Sequence, residues 1–332
     1  MNIVFMGTPE FALPTLKALH HSSHSILSVI TQPDRPKGRG LKLLVSPIKQ
    51  VALDLNIPIL QPETVNAPEF IDSLISNRPD TIIVVAFGQI LSESFLKIPK
   101  QFCINLHSSL LPKYRGAAPI NRSILNGDTR TGATTMIMDK GMDTGDILLM
   151  KETPIHETDN AQTLHDTLSE MGGALVLETL KRLEENTLLP TPQDHGHATY
   201  APKLKKEEGL VKWEQSATTL WNQVRGLTPW PGTYTLLNKK RLRILKAQVT
   251  EGTPGDCPGQ VARVTDVGIE VGTGQDRLVI TELQPEGKKR MSAKSFLAGY
   301  KIERGILFDS TPISNQLPQP PNCIPNVKLR FL

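Results

Sequence analysis

Asn105 and His107 stand two residues apart at the end of the apolar stretch 102–104. If that stretch is a strand, both side chains leave the same face. They then meet at the strand's carboxyl end, where open α/β sheets bind ligands. An amide donor beside an imidazole suits one kind of chemistry. The amide can stabilise a tetrahedral oxyanion, and the imidazole, which titrates near neutral pH, can move a proton. Acyl transfer needs both. No Ser or Cys nucleophile motif competes for the role.

Positioning such a pair requires a sheet, and the first half of the chain has the pattern of one. Residues 3–6, 26–31, 81–87 and 102–106 read as strands, and 136–138 and 147–150 flank a loop. The run 81–87 is continuously apolar, as expected of a central strand buried on both faces. Residues 9–20, 47–55 and 160–185 have helical spacing, the last with Leu164, Leu168, Met171, Leu175 and Leu183 near a 3.6-residue period. This alternation predicts a mostly parallel sheet with helices on both faces. Gly7 follows the first strand, but Pro9 and Ala12 occupy the other glycine positions of a dinucleotide fingerprint, so a tight turn is the expectation there.

Residues 189–206 break the alternation. Pro190, Pro192 and Pro202, with Lys203, Lys205 and Lys206, read as an extended linker. Beyond it, 234–237, 241–249, 260–265, 268–271 and 277–283 are short strands separated by Gly, Asn, Asp and Pro. Such spacing predicts a small barrel or sandwich. Residues 311–332 carry five prolines and are expected to be poorly ordered. The domain reading is therefore 1–188, a linker 189–206, 207–310, and a Pro-rich tail 311–332.

At 39% hydrophobic and 21% charged, the 332 residues have the balance of a soluble globular chain. Cys103, Cys257 and Cys323 lie far apart with no Cys-x-x-Cys. That argues against a disulfide framework or zinc site and for a cytoplasmic location. His20, His21 and His24, and the pair His195 and His197, read as surface residues, so no metal is expected. No signal peptide is indicated, and the apolar run 82–87 is far too short to cross a bilayer. Charge is uneven. Residues 1–204 hold 18 Lys and Arg against 21 Asp and Glu, a net of −3, whereas 205–310 hold 17 against 12, a net of +5. A basic second part fits a polyanionic partner, with an ordinary basic surface as the alternative. The segment 34–42, with Arg35, Lys37, Arg39 and Lys42 among Gly and Pro, is a basic loop suited to phosphate contact or simply to solvent.

The motif Asn105-x-His107-x-Ser109-Leu110-Leu111-Pro112, followed by Arg115-Gly116-Ala117-Ala118-Pro119-Ile120, resembles the signature of the folate-dependent formyltransferases. The resemblance runs from Ile3 to about Leu307. It implies an N-terminal Rossmann-like α/β domain and a C-terminal barrel of the oligonucleotide-binding (OB-fold-like) type, opened by Thr228-Pro229-Trp230-Pro231-Gly232. It implies Asn105, His107 and Asp143 as the catalytic set, with Asp143 orienting the imidazole and stabilising its charged form. From its Gly-rich surroundings alone, Asp143 could equally cap a turn. It implies a tetrahydrofolate-binding loop at Ser109, Leu110, Leu111 and Pro112, with the pterin near Phe87, Gly88 and Ile90. The implied formyl donor is 10-formyltetrahydrofolate. The implied acceptor is the α-amine of methionyl-initiator tRNA, gripped through Arg39 and Lys42. The enzyme is expected to be a monomer without a membrane partner. A family member acting on a small amine, such as an amino sugar nucleotide, is the alternative.

Overall fold

Thr81–Val85 is buried at every position, and the chain around it folds to keep it so. The computed structural model describes residues 1–37 and 42–310, giving the backbone alone at 36, 37 and 42–44. Two compact units emerge, Met1–Ser123 with Asp128–Lys203, and Ile124–Gly127 with Leu204 onward.

The first unit runs β1 (Asn2–Gly7), α1 (Leu13–His20), β2 (Ser25–Ile30), β3 (Arg35–Lys37), β4 (Lys42–Leu44), α2 (Pro47–Asp54), β5 (Ile59–Leu60), α3 (Pro68–Ser76) and β6 (Thr81–Val85). It continues with α4 (Glu93–Leu96), β7 (Cys103–His107), β8 (Arg115–Gly116), α5 (Pro119–Leu125), β9 (Arg130–Ile137), β10 (Ile147–Pro154), α6 (Ala161–Glu184) and β11 (Tyr200–Ala201). The seven-stranded sheet has the order β10-β9-β7-β6-β1-β2-β5. From β7 to β5 the pairs are parallel, while β9 and β10 are antiparallel additions at one edge. Strand order reverses about β1, since β2 lies on one side and β6 on the other. In such sheets a crevice opens at that reversal, outside the carboxyl ends.

Helix α6 is anchored by Asn160, which accepts from Gln162 and Thr163 N–H in a capping box. Its Gly172 sits against the side chain of Leu106, where an added Cβ would come within 2.5 Å of Leu106 Cδ2. The bare glycine lets the helix approach the strand between Asn105 and His107. The basic segment read as a loop is in part a hairpin, β3 antiparallel to β4. At its base Asp34 accepts from Lys49 Nζ and Gln61 Nε2. Those bonds, Lys49's first, hold its carboxyl below the usual range. Lys42 opens β4, opposite Lys37. Arg39 lies outside the described residues.

The stretch 189–203 is not the free linker its prolines suggest. Thr191 exchanges both backbone hydrogen bonds with Ile147 at 2.8 Å, β11 pairs in parallel with β8, and Gln193 is buried. A backbone that finds strand partners gains ladder hydrogen bonds that an exposed linker leaves to water.

The second unit contains α7 (Ala217–Gly226), β12 (Thr233–Leu237), β13 (Lys240–Thr250), β14 (Val261–Val264), β15 (Ile269–Gly272), β16 (Arg277–Pro285), β17 (Met291–Ser292) and α8 (Ala293–Leu297). Its sheet is antiparallel, ordered β12-β13-β16-β15-β14 with β17 on β16. Residues 305–309 hydrogen-bond both edges: Asp309 pairs with Leu236 of β12, and Leu307 bridges to Gln260 beside β14. The sheet thereby closes on itself into a small barrel, which removes its open edges. Val211, Trp213, Leu220, Ile244, Ile280, Phe296 and Phe308 are among the side chains filling it. Each large apolar side chain buried there contributes about 1.5–3 kcal/mol. The polar end of Trp213 is satisfied by Thr235 Oγ1 at 3.1 Å.

Candidate active site

A cavity of about 620 Å³ opens at the carboxyl ends of the parallel strands in the first unit. Pro9 beyond β1, Val84 of β6 with Ala86 and Phe87 beyond it, and Asn105 and His107 of β7 all line it. Asp143 arrives from the β9–β10 connection to complete the wall. The three residues expected to carry the chemistry thus meet on one surface, as the end of β7 dictates for the first two.

His107 is 6% exposed. Its Nε2 lies 2.9 Å from the carbonyl oxygen of Tyr114. A carbonyl only accepts, so Nε2 carries the hydrogen and donates it. That leaves Nδ1 as the nitrogen free to exchange a proton, and Nδ1 faces Asp143 Oδ2 at 3.7 Å. This is an electrostatic contact rather than a hydrogen bond. The same oxygen accepts from Gly116 N–H at 2.8 Å, which holds the carboxylate in place. Asn105 is half-buried, and among the described residues its amide has no hydrogen-bond partner, so it stays open to the cavity.

The loop carrying Asp143 is tightly specified. Asp143 has φ +55°, a left-handed conformation unusual for a residue with a Cβ. Two residues on, a Cβ at Gly145 would collide with the carbonyl of Ile137. Gln193 holds the loop from outside: its Nε2 donates to Asp143 O at 3.0 Å and to Gly145 O at 2.7 Å. Its Oε1 accepts from Arg115 Nε at 3.1 Å and Nη2 at 2.7 Å. Arg115 is 2% exposed, and its Nη2 also lies 3.2 Å from His195 Nδ1. Reading along the sequence missed Gln193, which sits between prolines some 50 residues from the loop it holds. It also missed His165 of α6, which lines the cavity and packs edge-on against Phe11 at 5.2 Å.

Ser109, Leu110, Leu111 and Pro112 do not line this cavity; Ser108 does. Ser109 is fully buried and donates to Lys113 O at 2.6 Å. Thr134 Oγ1 donates to Ser109 O at 2.6 Å and accepts from Leu111 N at 3.2 Å. The four residues form a fixed turn between Ser108 and the Arg115–Gly116 strand. Phe87 and Gly88 line the cavity, together with Met138 and Met142. Ile90 is 79% exposed. A second cavity of about 670 Å³ shares Pro9 and His165 with the first and extends past Gln32 and Arg35 to Ser46. Among the described residues no group of His, Cys, Asp and Glu converges as a metal site.

The second unit offers a different surface. Asn238 and Lys239, both at positive φ, turn β12 into β13 and leave Lys239, Lys240 and Arg241 exposed. The Arg241 guanidinium stacks 3.8 Å over the ring of Tyr234. Glu286 N–H donates to Arg241 O at 3.0 Å, bringing the exposed Lys288, Lys289 and Arg290 alongside. Trp230, 53% exposed, lies beside Pro229, whose carbonyl Arg243 reaches at 3.4 Å.

Comparison with known proteins follows this division. Residues 1–180 match the family model described as formyl transferase, and residues 203–301 match formyl transferase, C-terminal domain. A methionyl-tRNA formyltransferase of Citrifermentans bemidjiense is 52% identical over 308 residues, covering 93% of this chain and 96% of that protein. One from Caldanaerobacter subterraneus subsp. tengcongensis is 49% identical, covering 93% of this chain and all of the other (100%). Among solved structures, the methionyl-tRNA formyltransferase of Clostridium thermocellum aligns with TM-score 0.52 at 18% identity, over 76% of this chain and 95% of that one. The N-formyltransferase of Helicobacter canadensis, solved with folinic acid and dTDP-3-aminofucose, aligns at TM-score 0.64 and 19% identity, over 85% and 98%. At those identities the structural matches speak for the fold.

Proposed function

The chain belongs to the methionyl-tRNA formyltransferase family, and from that membership we propose that Asn105, His107 and Asp143 transfer a formyl group from 10-formyltetrahydrofolate to the α-amine of methionyl-initiator tRNA. The observation that carries the residue assignment is their meeting on one cavity at the carboxyl ends of the parallel strands. Attack of the neutral amine on the formyl carbon forms a C–N bond and places negative charge on the formyl oxygen. The open amide of Asn105 is the donor for that charge. His107 takes the proton released by the new ammonium and returns one to the departing folate nitrogen. Nδ1 is the atom that does this, because Tyr114 occupies Nε2. Asp143, fixed by Gly116 N–H, orients the ring and offsets its charge when protonated. Its 3.7 Å separation from Nδ1 is an electrostatic contact that leaves this nitrogen available to the reacting amine.

Phe87, Gly88, Met138 and Met142 give the cavity an apolar flank for the flat pterin. The turn formed by Ser109, Leu110, Leu111 and Pro112 serves the folate by carrying Ser108 and Ala117 to the cavity wall. The adjoining cavity, bordered by Arg35 and sharing His165, suits the aminoacyl end of the acceptor. Lys42, at the start of β4, and Arg39, which lies outside the described residues, are the residues we assign to the acceptor stem. The basic, aromatic surface around Arg241 and Tyr234 is assigned to the tRNA backbone. Residues 207–310 form the tRNA-binding domain in this reading, and the enzyme works as a cytoplasmic monomer.

The test is transfer of label from 10-formyltetrahydrofolate. Charged initiator tRNA should acquire it on the methionine amine, and an amino sugar nucleotide should not. Labelling of the sugar nucleotide with none on the tRNA would overturn the acceptor assignment.

A further inference from the structure

We propose that Gln193 is a positioning residue for formyl transfer, acting through the backbone of the loop that presents Asp143. The inference rests on the role assigned to Asp143 above. Its ground is a connected set of bonds. One end of the Gln193 carboxamide grips the carbonyls of Asp143 and Gly145 at 3.0 and 2.7 Å. The other end accepts two hydrogen bonds from the buried guanidinium of Arg115. A planar amide held at its oxygen by a planar fork has a fixed orientation, so its N–H groups point where Arg115 sets them. They point at the carbonyls on either side of Thr144, the turn in which Asp143 takes its left-handed φ of +55°.

Such a conformation persists when neighbouring structure over-determines it. Gly116 N–H holds the carboxylate itself, and Gly116 directly follows Arg115 in β8. The same two-residue strand therefore sets the Asp143 side chain through its backbone and the Asp143 main chain through Arg115 and Gln193. Gln193 is 6% exposed and does not line the cavity, so it acts on the Asp143 loop from behind the cavity wall.

The experiment uses the full-length enzyme with both substrates. Gln193→Glu keeps an acceptor for Arg115 but has no N–H for the two carbonyls. Arg115→Lys removes the fork while leaving Gln193 in place, and is a second variant should the first fold poorly. Each should lower kcat by about 10- to 100-fold, the order expected when a catalytic group is misplaced by about 1 Å. KM for folate and for tRNA should stay within about twofold, because uniform binding is untouched. In an Asp143→Asn background, Gln193→Glu should add almost nothing, since the position of a disabled residue no longer matters. Wild-type kcat in both variants would overturn the proposal. So would a loss that multiplies fully with that of Asp143→Asn, which is what a purely structural role produces. If Asp143→Asn itself retains full activity, the assignment of Asp143 fails and this inference falls with it.

Discussion

Arg115 in the first unit and Arg277 in the second are both largely buried guanidiniums, and they differ in what holds them. Arg277 is neutralised. Its Nε and Nη2 meet Asp256 at 2.7 and 2.9 Å, and its Nη1 meets Glu270 at 3.0 Å. The bonds from Arg277 first, and then from Thr253, hold the Asp256 carboxyl below the usual range. Arg115 meets a neutral amide and an imidazole instead. A carboxylate would compensate its charge better, but a carboxylate has no N–H to hand on. The glutamine transmits the arginine's fixed geometry to a third element. One arginine therefore ends a network that holds strands together, and the other begins one that reaches a reaction site. Damage to the first unit's network should appear in kinetics, and damage to the second unit's in stability.

The strongest way to break that contrast is to remove the groups on the cavity wall. His107→Ala should lower turnover about 100- to 10,000-fold as a lost proton carrier. Asn105→Ala should lower it about 100- to 1,000-fold as a lost oxyanion donor. In both, the melting temperature should stay close to wild type. A large fall in melting temperature with modest loss of turnover would place these residues with Arg277 instead.

Arg277→Leu is the reciprocal case. It strands two carboxylates and should cost about 1.5–3 kcal/mol, the scale of hydrogen bonds to charged groups, measured by denaturant unfolding at neutral pH. The pH dependence has a definite sign. Asp256 has a folded pKa below its unfolded value of about 3.9, so its stabilisation is complete at neutral pH. It fades as pH falls below about 4 through the folded value. Arg277→Leu should be less sensitive to that acid range than wild type.

The smallest effect sharpens the charge contrast between the units. Lys240→Ala removes one exposed cation beside the Arg241–Tyr234 stack. It should leave folate KM unchanged, and the slope of log tRNA affinity against log salt should become shallower by roughly one unit or less. An unchanged slope would return this face to ordinary solvated surface.

The parts of the molecule legible in the sequence are those governed by local pattern. The continuous apolar run of β6, the period of α6 and the two-residue spacing of Asn105 and His107 all follow from geometry within one element. The short strands of the second unit were visible because Gly, Asn, Asp and Pro punctuate them. What escaped depends on contacts distant in sequence. Nothing in residues 190–193 signals that Gln193 will be buried or that Thr191 will find Ile147, and three prolines nearby point toward a linker. Helix α3 was missed, and the antiparallel course of β9 and β10 cannot be read from strand composition, because either direction buries the same side chains. The hydrogen bonds that tie Ser109 and Leu111 to Thr134 likewise join residues more than 20 positions apart, so no local pattern announces them.

The barrel's closure by residues 305–309 has a consequence for how the chain is made. The segment that seals both edges follows every strand of the five-strand path in the sequence, so it is synthesised after all of them. Its partner Leu236 on β12 precedes Asp309 by most of that unit. Until the segment emerges, β12 and β14 present unpaired edges, the surfaces through which nascent sheets join one another. A chain cut short just before Gly305 would keep every strand of the five-strand path yet lose its seam. It should associate with other copies rather than simply unfold. The burden of keeping the nascent protein apart from its neighbours thus falls on a segment made only after those strands are complete.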